Sequence, residues 1–279
     1  MRPIFSPQSL PELFSIRDAH PDACLMAGGT DLLVRLRKQP SDDRPLILLE
    51  RIAALQRIET TSTEIVIGSG VCFSRIAAEE PASAEIAVLA QAAATIGAPA
   101  LRNMATIGGN VCTASPAGDS LPALYVLGAS VELASAQGTR IMPVCEFISG
   151  PGKTKLGTNE MLYAIHIPRK RPAWTIQRNE KIGKRKSLAI AVASMAAAIR
   201  LDENGIVHEA HLAWGSVGPT VMRCPEAEEA LLGQRLAADT LDAAAAFVPG
   251  SVRPIDDIRA TAAYRRCVCT NLLYRLLDS

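Results

Sequence analysis

Apolar residues recur along this chain in short runs that end at glycine. "ACLMAGG" (23–29) and "EIVIGSG" (64–70) each read as a buried strand entering a turn, and "PLILLE" (45–50) as a buried strand between them. "TDLLVRLRKQ" (30–39) sets Leu32, Leu33 and Leu36 on one face and Arg35, Arg37 and Lys38 towards the other, the pattern of an amphipathic helix. Ahead of them, "SLPE" (9–12) puts Ser9 three residues before Glu12 with Pro11 in the first turn. That capping box predicts a helix to about His20. The alanine-rich stretch 82–97 predicts one helix closed by Gly97. "LPALYVLGASVELAS" and a late strand, "EMLYAIHIP" (160–168), follow, and "RKRP" (169–172) reads as a linker. Beyond it, "LAIAVASMAAAIRLDENGIVHEAHLAWGSV" has the alanines of a helix. Asn204-Gly205 is nonetheless a hairpin signal, and Ile206, His208 and Ala210 alternate with Val207, Glu209 and His211. The expectation is a β-hairpin. "CPEAEEALLGQRL" and "DDIRATAAYRRCVCTNLLYRLLD" are helices, the second with Asp256 and Asp257 near its start, where acids suit the dipole. From about residue 175 the chain therefore reads as a smaller α+β domain.

Composition narrows the classes. Of the 279 residues, 48% are apolar, enough for a sizeable core, and 20% are charged, which excludes a disordered or a membrane chain. No apolar run reaches the ~18 residues of a membrane span. "MRPIFSPQSLPEL" has no apolar signal region, so a cytoplasmic location is expected. Lys and Arg total 29 against 28 Asp and Glu, which leaves no field to gather nucleic acid, and 4% aromatics offer few stacking platforms. None of the seven cysteines forms a C-x-x-C pair. They read as reduced thiols, with Cys267 and Cys269 on different helix faces and no metal-ligand spacing. His166, His208 and His211 do not converge, and no Ser/His/Asp set or carboxylate pair can be argued from spacing. No catalytic or metal-ligating residue is expected.

Three segments carry candidate chemistry. "AGGTD" (27–31) puts a glycine pair at the end of a strand, where uncovered N–H groups and a following helix make an anion site. The plain alternative is an ordinary strand–turn–helix corner. Asp31 would repel an anion, so a role capping the helix fits it better. "TIGGN" (106–110), with Thr113 and Asp119, repeats the logic. Neither segment fits the dinucleotide or P-loop fingerprints, but two glycine loops could clamp a pyrophosphate from both sides without lysine. Asp119 could accept hydrogen bonds from a sugar hydroxyl pair, or simply cap the helix before "SLPALYVL". A side chain added at Gly108 should crowd the phosphates and leave the fold intact. "KIGKRK" (181–186) is either a solvated basic turn or a cation beside a redox ring.

"AGGTDLL", "LRNMATIGGN" and "TASPAGD", in that order, resemble the FAD-binding subunit of molybdenum hydroxylases, such as xanthine, carbon monoxide and nicotinate dehydrogenases. "GPGKTKL" (150–156), "EKIGKRKSLAIA" (180–191), "GSVGPTVMRCPEAEEALLG" (215–233) and "DIRATAAYRR" (257–266) extend the resemblance over nearly the whole chain. It implies an α+β chain: a two-subdomain FAD-binding fold of the vanillyl-alcohol-oxidase type at 1–55 and 56–172, then a smaller α+β C-terminal domain at 173–279. It also implies that Met26, Ala27, Gly28, Gly29, Thr30, Asp31 and Leu32, together with Thr106, Gly108, Gly109 and Asn110, wrap the FAD pyrophosphate. Thr113 and Asp119 match positions in the phosphate and ribose region. Leu162 and Lys181 match positions near the two ends of the cofactor, and Ile96 one that is aromatic in some relatives. The short "RKQPSDDRP" (37–45) leaves no room for the cysteine-rich insert of relatives that reduce hydroxybenzoyl-CoA. Molybdopterin and two-iron two-sulfur clusters belong, by the same resemblance, to separate partner subunits, with NAD+ or another acceptor downstream. "GPGKT" leans towards purine or N-heterocycle dehydrogenases. The alternatives are a free-standing flavin oxidoreductase and a structural subunit that has lost FAD.

Overall fold

The structure is a computed structural model that describes residues 2–39, 41–78, 82–170, 172–185 and 187–278. Arg171 of the expected linker and Lys186 of the basic run lie outside the described residues.

The first fifty residues build a three-stranded parallel sheet from β1 (Ile4–Phe5), β2 (Cys24–Met26) and β3 (Leu46–Leu48), in the order β1-β3-β2. Helix α1 (Leu10–Ala19) starts at Ser9, whose hydroxyl accepts the Glu12 N–H. The Glu12 carboxylate reaches back to the Gln8 N–H, so the capping box forms one residue out of its usual register. Helix α2 (Leu32–Lys38) buries none of its residues, and Leu33 and Val34 are exposed. The apolar face expected there is a surface.

A five-stranded antiparallel sheet follows, in the order β4-β5-β10-β6-β7. Its strands are β4 (Ile58–Thr60), β5 (Glu64–Gly68), β6 (Ser130–Ser135), β7 (Gly138–Pro143) and β10 (Met161–Pro168), with a small ribbon of β8 (Ile148–Gly150) and β9 (Lys153–Thr154) between. Its core face is covered by helices α3 (Phe73–Ala78), α4 (Ala82–Glu85), α5 (Ala87–Thr95), α6 (Pro99–Arg102), α7 (Ile107–Thr113), α8 (Leu121–Val126) and α9 (Val144–Phe147). The single helix expected over 82–97 is broken at Ile86, whose backbone leaves the helical region. Gln177 fills the break: its carbonyl accepts the Val88 N–H and its amide donates to the carbonyls of Ala84 and Glu85. Gly97 closes α5 at φ +52, as expected of a C-terminal glycine.

The third sheet is antiparallel, in the order β11-β12-β13-β14: β11 (Ile176–Ile182), β12 (Ala193–Leu201), β13 (Val207–Gly215) and β14 (Met222–Arg223). The expected hairpin is present. Its loop is five residues, Asp202 to Ile206, and of these only Gly205 takes a positive φ. The Asp202 carboxylate accepts the N–H groups of Asn204 and Ile206. The alanines of β12 have a packing reason. Met195, Ala197 and Ile199 enter the core of the third unit, while Ala196 and Ala198 face the second core, against the fully buried α8. A strand pressed against a helix on that face has room only for small side chains. Helices α10 (Pro225–Leu231), α11 (Ala238–Ala245), α12 (Val248–Ser251) and α13 (Ala262–Leu272) cover the other face. Helix α13 starts at Thr261 rather than beside the acids. Asp256 still accepts the Ala262 N–H, whereas Asp257 turns to Arg265, because four residues, 258–261, separate the acids from the helix. Cys269 is buried and Cys267 exposed, as the helical spacing requires. The segment after β10 is pinned: Arg169 pairs with Glu85 at 2.6 Å, and Lys170 with Glu209 at 2.8 Å.

Candidate functional site

A cleft of about 440 Å³ opens where the three units meet. Strand β2 delivers the first glycine turn to it. Gly28 packs on the second glycine segment so closely that a Cβ would lie 1.6 Å from the Met104 carbonyl oxygen, so only glycine fits. Gly29 takes φ +69. Among the described residues, the N–H groups of Gly28, Gly29, Thr30 and Asp31 have no protein partner. Four unpaired donors in one turn suit an anion. Asp31 does not cap α2. Its backbone is already helical, which aligns its carboxylate with Arg35 one turn on, at 2.9 Å.

The second glycine segment works differently from the expectation. Thr106 caps α7 by accepting the Gly109 N–H, at 3.2 Å. The Ile107 and Gly108 N–H groups donate to the carbonyls of Val71 and Ser69, each at 3.0 Å. The first turn of α7 therefore has its donors engaged, whereas the first glycine turn offers four unpartnered ones. Gly108 faces the protein: a Cβ there would meet the Ser69 Cβ at 2.5 Å. Gly109 lines the cleft, and a Cβ there would meet only the Thr106 hydroxyl, at 3.0 Å. Asn110 accepts from the Ser120 hydroxyl at 2.7 Å, which leaves its amide donors for the cleft that it lines. Cys112 surfaces partly in the same wall, but burial pushes its thiol up to about 12.

Beyond α7, Ala114 (φ +46) turns the chain into Ser115–Asp119. Asp119 does not cap α8: Ser120 holds that position, without a side-chain bond to the helix. Asp119 instead pairs with Lys181 of β11, at 2.7 Å, in a site where both side chains are nearly enclosed. Lys181 also donates to the Thr95 carbonyl at 3.1 Å. The other Asp119 oxygen, Oδ1, is buried and has no partner among the described residues. Burial raises the Asp119 pKa above the usual carboxylate range, and the charge and hydrogen bond of Lys181 pull it part of the way back. The basic run divides: Lys181 turns into the site, while Lys184 and Arg185 bind the carbonyls of Ile258 and Leu188 at the rim.

Of the sixteen expected residues, thirteen line this cleft: Met26 to Leu32, Ile96, Thr106, Gly109, Asn110, Thr113 and Asp119. Gly108 and Leu162 line an adjoining cavity of about 360 Å³, which shares Leu25, Ala27, Leu32, Arg35, Gly109 and Cys112 with the cleft. Lys181 joins through Asp119. No pattern in the sequence pointed to Leu25, Phe73, Leu101 or Ile190 in the cleft wall, nor to Arg17 and Arg44 in the adjoining cavity. Arg35 was visible only as part of a polar helix face. The histidines have other partners. His166 lies between Glu64 and Glu132 at 3.1 and 2.9 Å, and His211 bonds the Val126 carbonyl. Among the described residues, no group of three or more His, Cys, Asp or Glu side chains is placed to hold a metal, and no helix is long and apolar enough to cross a membrane.

Comparison with known proteins gives consistent findings. Residues 1–170 match the family model described as the FAD binding domain in molybdopterin dehydrogenase, and residues 180–279 the CO dehydrogenase flavoprotein C-terminal domain. The chain is 31% identical over 258 residues to the xanthine dehydrogenase FAD-binding subunit of Escherichia coli O157:H7, covering 92% of this chain and 88% of that one. It is 30% identical to the nicotinate dehydrogenase FAD-subunit of Eubacterium barkeri, covering 94% and 90%. Its fold superposes on a chain of carbon monoxide dehydrogenase from Hydrogenophaga pseudoflava with a TM-score of 0.92 at 28% identity, covering 99% and 96%.

Proposed function

The chain belongs to the FAD-binding subunits of molybdopterin dehydrogenases, which are oxidoreductases, and from that premise we propose how its own residues hold the cofactor. The observation that carries the reading is the pairing of free donors with a free acceptor in one cleft. The unpaired N–H groups of Gly28 to Asp31 suit the pyrophosphate. Gly109 keeps the opposite wall bare, and the Asn110 amide and Thr113 hydroxyl add side-chain partners. The orphaned Asp119 Oδ1 suits a hydroxyl or imide N–H of the cofactor. These residues fit FAD.

The two ends of the cleft differ, which supports a direction for the cofactor. Leu162 stands with Leu25, Leu49, Leu156 and Met161 in a cavity that Arg17, Arg35 and Arg44 also line, a mixed wall suited to the adenine. Lys181 and Asp119 form the other end, suited to the flavin ring and its ribityl chain. The Asp119 carboxylate offsets the Lys181 charge there, so the pair adds no net cation beside the ring. Ile96, at the C-terminus of α5, supplies an aliphatic wall where some relatives are aromatic.

When bound, FAD would supply the redox chemistry between the iron–sulfur clusters of a partner subunit and NAD+ or another acceptor. The substrate, of purine or N-heterocycle type, is oxidised at a molybdenum-cofactor subunit. The three sheets support units at 1–55, 56–172 and 173–279. The seven free cysteines favour a cytoplasmic complex. The test is direct: the chain purified with its partner subunits should show flavin absorbance, or take up FAD on titration. A folded complex that does neither overturns the reading.

A further inference from the structure

Arg265 is 3% exposed, a buried cation in a unit that the cofactor cleft only grazes. Its guanidinium donates to the Val192 and Ser216 carbonyls, both at 2.8 Å, and to Asp257 Oδ1 at 2.6 Å. Both backbone targets lead to the cleft. The Val192 N–H bonds the carbonyl of Ile182, the neighbour of Lys181, at 2.7 Å. The Ser216 N–H bonds the carbonyl of Pro116, three residues before Asp119, at 2.9 Å. Lys181, Ser194 and Gly215 are register partners in one row across β11, β12 and β13. Val192 and Ser216 flank that row on the side that Arg265 grips.

We propose that Arg265 is a positioning residue for the cofactor cleft: from α13 it fixes the two backbone segments that carry Lys181 and Asp119. The inference rests on the reading that this cleft takes FAD. Anchoring α13 does not require the guanidinium, because the Trp214 indole already donates to the Cys269 carbonyl and Cys269, Leu272 and Leu273 are buried in the third core. Ser216 shows what Arg265 enforces. It sits at φ +65, where a side chain is strained, and it is held there through its carbonyl by Arg265 and through its N–H by Pro116. Release of the carbonyl lets Ser216 relax, and the Pro116–Asp119 segment moves with it. Asp257 completes the device by orienting the guanidinium, and also accepts the Arg259 and Ala260 N–H groups.

The experiment uses the full chain with its partner subunits. Arg265→Met should weaken FAD binding about tenfold, the equivalent of one lost charged hydrogen bond, and change the visible circular dichroism of the bound flavin. Adding Ser216→Gly to that variant should restore most of the affinity, since glycine takes φ +65 without the side-chain strain that drives Ser216 away from it. A variant that melts earlier but binds FAD with wild-type affinity and an unchanged spectrum reduces Arg265 to a scaffold residue and overturns the inference. Failure of Ser216→Gly to restore affinity does so too. If Arg265→Met does not fold, Asp257→Asn keeps the guanidinium and loosens it. A drop of about threefold supports the inference, and no drop overturns it. A wild-type complex that takes up no FAD defeats the underlying reading instead, so the two failures are distinguishable.

Discussion

The two adjacent glycines of "TIGGN" have opposite duties, and substitution separates them. Gly109→Val projects into the cleft and should abolish FAD uptake while the melting temperature stays within a few degrees of wild type. Gly108→Val drives a side chain against the Ser69 backbone and should destabilise the fold by roughly 2–4 kcal/mol, the range of overpacking and its relaxation. Titration with FAD alongside urea unfolding checks both; a stable Gly108→Val protein that merely loses FAD would contradict the assignment. The pattern showed the glycine pair but could not say which glycine faces the ligand, because that depends on Ser69, nearly forty residues away. Asp119 is a similar case. From sequence it was a cap or a sugar acceptor, and its true partner, Lys181, is contributed by another sheet. Lys181→Met leaves that carboxylate buried and alone, at a cost of about 3–5 kcal/mol. The native carboxyl already binds its proton more tightly than the unfolded one does. Stability from this group therefore falls as pH rises through the interval between the ordinary and the raised value. Without Lys181 that interval widens upward. The variant's deficit should be larger at pH 8 than at pH 5, and an equal deficit at both would argue against a charged Asp119.

At the scale of elements, local signals succeeded wherever the cause was local. Ser9 caps α1, Gly97 closes α5, and Asn204-Gly205 turns the hairpin. They failed where a distant side chain decides. The 82–97 helix breaks because Gln177, on the first strand of the third sheet, satisfies the exposed backbone groups at the break. Gln177→Ala strands those groups and should cost about 1–2 kcal/mol. Amide exchange should quicken first around residues 84–88; a uniform loss of protection would place the role of Gln177 elsewhere. The alanine run of β12 misleads for a related reason. Composition reports helix propensity, whereas the burial of both strand faces is a property of the packed sheet and α8.

At the scale of the molecule, the cleft belongs to no single unit. The first supplies the free donors, the second the bare wall and Asp119, and the third Lys181. The cores interlock in the same way. Ala134 and Met161 of the second sheet complete the first core, and Ala196, Ala198 and Ala213 of the third sheet complete the second. Bound FAD should therefore raise the melting of the whole chain in one transition, by about 2.7 kcal/mol at a hundredfold excess over Kd. Two separate transitions in a calorimetric scan, with only one moved by FAD, would show that the units melt apart. The alanine face of β12 carries a lesson for anyone who would treat this protein as a kit. A gene truncated after residue 172 ends at a tempting place, between two recognisable modules. Yet its product would present the underside of α8 to water, with nothing small and flat to cover it. Such a fragment should run on gel filtration as an aggregate and elute colourless. The portable flavin module is the entire chain.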